Sequence, residues 1–326
     1  VVPPRELVPT AFVSASGTAA WPGSEGDEAS VEELRTRAAP GDVVAMRGVE
    51  HGGAYTTSPV PEVSGEAGSP IVLFPHGEEV VVIQRVDTGL DFVGVSHVHV
   101  EGLGRWHIDG ERQALPDRRS LVHHFIRFQE SASWNVVREV SGRFCTGWRG
   151  IDFDTGSHHN LVEGGAYEHI GNAADHVKDD QNGDAVAFRN GARWNVLRHA
   201  RIENGGHNAL DVGSGLNAVI GCRILSHWSD VDPAWNDYRL VEAEADSPAE
   251  PFYIEGCVFS SGDGMPTDRD VPQLVFNGRS PKVLRQNLFW NAEYFAFQSQ
   301  MRNQDKTRHV QDIVLLHNVV LGCEGP

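Results

Sequence analysis

Three segments of the chain carry a charged side chain shortly before a glycine: "IDFDTG" ending at Gly156, "VAFRNG" ending at Gly191 and "NALDVG" ending at Gly213. Together they supply Asp154, Arg189 and Asp211, an acid–base–acid series. Between the first two lies "YEHIGNAADHVKDDQNGDAV", which adds Glu168, His169, Asp175, His176, Lys178, Asp179, Asp180 and Asp184. These residue types support three chemistries. Lys178 or His176 can act as the base that removes a proton α to a carboxylate, with Arg189 or a cation holding the developing negative charge. Asp154 and Asp211, facing each other across a groove, can serve inverting hydrolysis. Asp180 and Asp184, flanking Asn182 and Gly183 in a turn, offer oxygen ligands that suit Ca²⁺. His207 directly precedes the Asp211 segment and joins the catalytic candidates. Beyond it runs a long excursion, residues 227–246, with Trp228, Trp235 and Tyr238 among acids. Their ring faces can stack on a ligand or pack the excursion down.

Bulk properties narrow the partners. The chain has 326 residues and a formal net charge of −18. Nucleic-acid binding needs clustered Lys and Arg, so that balance argues against it and against an anionic membrane surface. No apolar run approaches the ~20 residues that span a bilayer. Four cysteines occur and none forms a C-x-x-C pair, which excludes a cysteine zinc site and a disulfide scaffold. No organic cofactor is indicated.

The elements that must position these residues are repeats. "NVLRHARI" begins at Asn195 and "NAVIGCRI" at Asn217. Related copies are "HNLVEGGAY" from His159, "FYIEGCVF" from Phe252, "PKVLRQNLF" from Pro281 and "VQDIVLLHNVV" from Val310, with weaker ones at Ser96 and Ser133. Short alternating strands, glycine corners and no sustained helical period predict an all-β solenoid. Side chains one repeat apart become vertical neighbours. Asn135, Asn160, Asn195 and Asn217 are then equivalent, as are Ala200, Cys222, Cys257, Asn287 and Asn318. Stacked amides would satisfy backbone groups at the bend. Cys222 and Cys257 should stack as buried thiols, with a disulfide the minor alternative. The outward column Asp154–Arg189–Asp211 should run across three windings. Ser30 and Glu33 form a capping box that opens a helix stopping before Pro40, with Val31, Leu34 and Ala38 as its buried face.

The order of these elements resembles a known superfamily. A capping helix is followed by "PGDVVAMRGVEHGGAYTT", "SGEAGSPIVLFPHGEEVVVI" and "VSHVHVEGL". This is similar to the pectate-lyase-like right-handed parallel β-helix superfamily, over roughly residues 16–323. The resemblance implies a single domain over 1–326, with an N-terminal cap at 16–45, coils at 46–323 and no C-terminal cap. Either the solenoid continues or a partner covers that end. It further implies a secreted or cell-surface protein acting on a polysaccharide. The leading expectation is a lyase cleaving a uronate-containing glycan by β-elimination. A hydrolase, a uronan epimerase and a non-catalytic fibre or glycan-binding stalk are the alternatives. Motifs that mark particular branches are absent: the polygalacturonase acidic set, the Asp-Pro-His of alginate epimerases and the paired glutamates of chondroitinase-B-like lyases.

Overall fold

The computed structural model describes residues 7–84, 86–110, 122–145, 149–170, 184–203, 208–226, 239–243, 250–261, 273–276, 281–290, 297–298 and 313–321. Its strands stack in three parallel ladders, the arrangement of a parallel β-helix. Two ladders are fused into one 18-stranded sheet because Val98–Asp109 and Val136–Cys145 each run through a corner. The third ladder is a separate eight-stranded sheet. Its strands are Thr88–Val93, His124–Gln129, Arg149–Phe153, Asp184–Phe188, Asn208–Val212, Arg239–Ala243, Gln273–Phe276 and Phe297–Gln298.

Alternation builds the core. Along the eight-stranded sheet, inward aromatic rings lie over one another from winding to winding. Phe92, Phe128, Phe153 and Phe188 stack at centroid spacings of 4.6, 5.1 and 4.7 Å. The two amide ladders form as their spacing predicts. Asn135 Nδ2 donates to Asn160 Oδ1 at 3.0 Å, Asn160 to Asn195 at 2.9 Å and Asn195 to Asn217 at 3.2 Å. The same oxygens also accept the backbone N–H of the residue beneath. The chain bends here because the preceding residue is left-handed: His97, Trp134, His159, Trp194 and Leu216 have φ between +54° and +59°. Lacking a regular strand partner, the bend's N–H groups are taken up by the stacked amides.

The second column also matches. Cys222, Cys257, Asn287 and Asn318 occupy successive windings, with the Val258 N–H on the Cys222 carbonyl and the Cys257 N–H on Asn287 Oδ1. Cys222 and Cys257 are buried free thiols, not a disulfide. The helix spans Val31–Arg37, and the Ser30 hydroxyl accepts from the Glu33 N–H at 3.1 Å. Leu34 and Ala38 enter the core. Winding begins earlier than residue 46, because Ala11–Val13 already pairs with Val43–Met46.

Candidate active-site face

The outer surface of the eight-stranded sheet collects the charged side chains. Strand pairing sets one column as Asp91, Arg127, Asp152, Ala187, Asp211 and Glu242. The expected column Asp154–Arg189–Asp211 therefore slips by two residues at its last member. The N–H groups of Asp154, Arg189 and Gly213 bond the carbonyls of Phe128, Phe153 and Phe188 in turn, so Gly213 is the counterpart of Arg189. Asp211 instead lies beside Ala187. Matching "LDVG" to "FDTG" on its glycine misplaced the corner. Apolar Val212, not Leu210, takes the place of Phe153 and Phe188. Arg189 and Asp211 nonetheless meet diagonally, Nε to Oδ2 at 3.7 Å. Asp154 accepts from Asn190 at 2.6 Å rather than pairing with Arg189.

The other sequence candidates divide. Asp184 sits on the strand Asp184–Phe188, 2% exposed. Its oxygens face donors: Asn208 Nδ2 at 2.9 Å and Arg149 Nε at 3.7 Å. A carboxylate between an amide NH₂ and a guanidinium does not fit calcium, which gathers oxygen ligands. Lys178, His176, Asp180, His207, Trp228, Trp235 and Tyr238 lie outside the described residues.

Sequence reasoning passed over a strongly perturbed pair on this face, Asp152 and His124. Asp152 is 1% exposed, between inward Ile151 and Phe153. Its Oδ2 lies 3.4 Å from an Arg149 terminal nitrogen and 3.6 Å from His124 Nε2. Burial pushes its carboxyl up to about 7, a rise that Arg149 opposes and Asp154 reinforces. Burial, with the cations Arg127 and Arg149, holds His124 down at about 3. The stable arrangement near neutrality is a protonatable carboxyl beside an uncharged imidazole. Arg127 is set apart by a two-pronged pair with Asp91 at 3.0 and 2.8 Å.

Three buried atoms here have no hydrogen-bond partner: Asp152 Oδ1, Arg149 Nε and His124 Nδ1. One acceptor, one donor and an imidazole nitrogen within one cluster thus lack a hydrogen bond, although Arg149 Nε keeps its longer ion pair with Asp184. Each unsatisfied buried group costs ~1–3 kcal/mol, so the concentration singles this cluster out as the candidate site. The legible signal was alternation: in "FIRF" and "IDF" the middle charged residues fall on the same outward step.

Trp134 and Trp194, each 48% exposed, occupy a corner far less suited to ligand stacking. They stack with histidines in the same column, Trp134 and His159 at 4.0 Å and His159 and Trp194 at 5.0 Å.

Fold and comparisons agree on class: the protein is a parallel β-helix. Among solved structures it is similar to an alginate lyase from Paenibacillus sp. str. FPU-7, at 13% identity and TM-score 0.53, over 95% of this chain and 99% of that one. It is also similar to pectate lyase Pel9A, at 12% identity and TM-score 0.61, over 97% of this chain and 78% of that one. At such identities the likeness is one of fold. No family profile and no curated protein matches the chain. Among the described residues no helix is long and apolar enough to cross a membrane.

Proposed function

We propose that the protein is a polysaccharide lyase that cleaves a uronate-containing glycan along the outer face of the eight-stranded sheet. The observation carrying this reading is the buried cluster in which Asp152 Oδ1, Arg149 Nε and His124 Nδ1 lack hydrogen-bond partners. Arg149 Nε takes the uronate carboxylate and steadies the negative charge that grows as the α proton leaves. Asp152, ionised in part at neutral pH, removes that proton through Oδ1. The C–H electron pair becomes the ring double bond, the bond to the leaving glycosidic oxygen breaks, and the proton passes from Asp152 to that oxygen. His124 and Arg149 hold Oδ2, which keeps Oδ1 turned toward the reacting carbon. Charge neutralisation falls to arginine in this reading. The fold likeness to an alginate lyase and a pectate lyase supports the substrate class.

One observation favours inverting hydrolysis as the second reading. Asp152 and Asp211 flank the small Ala187 on one column, two strand steps or ~10 Å apart. Products separate the two readings. Incubation with alginate, polygalacturonate and glycosaminoglycans should yield ultraviolet-absorbing unsaturated ends, at a rate that added Ca²⁺ does not raise. New reducing ends without that absorbance would replace elimination by hydrolysis. Neither product from any of them would overturn both.

A further inference from the structure

A second polar column on the eight-stranded sheet stands three residues before the outward one. Strand pairing sets Thr88, His124, Arg149, Asp184 and Asn208 on successive windings. All five are 8% exposed or less. Two residues further along each strand, Leu90, Ile126, Ile151, Val186 and Leu210 lie in the core. Polar groups so close to an apolar interior need partners. His124 and Arg149 already have a part in the proposed reaction, and Asp184 has none.

Asp184 is linked to the reacting carboxyl through Arg149. That guanidinium stands between two buried carboxyl groups: a terminal nitrogen is 3.4 Å from Asp152 Oδ2, and Nε is 3.7 Å from Asp184 Oδ2. One guanidinium balances one negative charge. Ionising both carboxyls would leave an extra buried charge, which is destabilising. Their surroundings decide which one yields. Asp184 faces Arg149 and also accepts from Asn208 Nδ2 at 2.9 Å. Asp152 Oδ1 has no donor. Hydrogen bonds favour the charged form of a carboxyl, so Asp184 carries the charge and Asp152 is left to hold a proton. The other groups facing Asp152 preserve this division. His124 is uncharged above about pH 3, and Arg127 is engaged by Asp91. Asp154 adds negative charge, and the direct neighbour on the next winding is Ala187. The plain alternative is a clamp in which Asp184 only holds Arg149 in place. A clamp of that kind leaves the titration of Asp152 unaltered when its charge is removed.

We propose that Asp184 is a positioning residue for the reaction: it takes up the charge of Arg149, so that this guanidinium orients Asp152 without stripping its proton. The proposal rests on the reading of Asp152 as the base. At 3.7 Å the ion pair is too long to use the Nε hydrogen, which stays available to an incoming carboxylate. The test follows the Asp152 carboxyl in the full chain, by NMR of protein labelled at its aspartate carboxyl carbons. The Asp152 signal is assigned by its loss in Asp152→Asn. Asp184→Asn keeps the shape and can still accept from Asn208, but it removes the charge. It should move the Asp152 inflection down from about 7 by roughly one pH unit or more. The rising limb of kcat/KM against pH should move down with it. Asp184→Ser serves the same purpose where the amide does not fold. Asp184→Glu restores the charge and should return the inflection toward the wild-type value. An inflection that stays in place or rises in the folded, uncharged variants would overturn the proposal, as would an equal fall in Asp184→Glu. This readout needs no substrate. A lowered inflection in a protein that makes no unsaturated product upholds the coupling and defeats only the reaction assigned to Asp152. Turnover to unsaturated product with an unmoved Asp152 signal defeats only the role of Asp184.

Discussion

A single carboxyl carries most of the chemistry assigned to this molecule. Asp152 and His124 stand 3.6 Å apart and are displaced from their ordinary ranges in opposite senses by the same burial. Folding stability records the two displacements with opposite signs. The folded state keeps the Asp152 proton up to about 7 whereas the unfolded chain loses it near 3.8, so this group makes stability fall as pH rises across that window. The folded state refuses a proton to His124 down to about 3 whereas the unfolded chain takes one near 6.5, so this group makes stability rise with pH. In the wild type the two slopes offset each other over their overlap. Replacing Asp152 by Asn should expose a stability that climbs from about pH 3 to 6.5. Replacing His124 by Gln should expose one that declines between about 3.8 and 7. Chemical denaturation of the three proteins across that range checks the signs. Parallel profiles in all three would show that the pair is not buried as described.

At the scale of the element, the ladders explain both what the sequence could reveal and what it could not. Asn160 and Asn195 were legible because a stacked amide has one geometric job and tolerates few other residues. Asn195→Ala strips the acceptor from the Asn160 N–H and side chain and removes its own bond to Ser157 O. A loss of ~2–4 kcal/mol is expected from the orphaned groups, read by denaturant titration. A change below about half a kcal/mol would show that water replaces the amide. The cap of the short helix was equally plain, since Ser30 and Glu33 encode it within four residues. The outward face was harder. Inward positions repeat Phe or Ile, whereas outward ones change from Asp91 to Arg127 to Asp152 to Ala187, so similarity offers no anchor there. Aligning on glycine instead slips Asp211 by two residues. Asp152 was hidden for a related reason. It sits two residues before Asp154, in a strand whose apolar residues and terminal charge dominate its pattern.

At the scale of the whole molecule, a net charge of −18 must coexist with the acidic substrate proposed for it. Arginines on the eight-stranded sheet reconcile the two locally: Arg127, Arg149 and Arg189 fall on three successive windings. From Asp91 to Asp211 the charged face crosses five strands, ~19 Å at the usual parallel spacing. Remote contacts along such a face contribute to turnover, so kcat/KM should rise with oligosaccharide length until the chain spans ~19 Å. Equal rates on disaccharides and polymer would confine recognition to one winding. All of this depends on Asp152 handling the proton. The most direct measurement is the rate of unsaturated-product formation by Asp152→Asn beside Asp154→Asn, each with its unfolding temperature. The account predicts a loss of ~10²–10⁴-fold for Asp152→Asn in a folded protein and a much smaller effect for Asp154→Asn. A folded Asp152→Asn enzyme that still forms unsaturated product at the wild-type rate would contradict it.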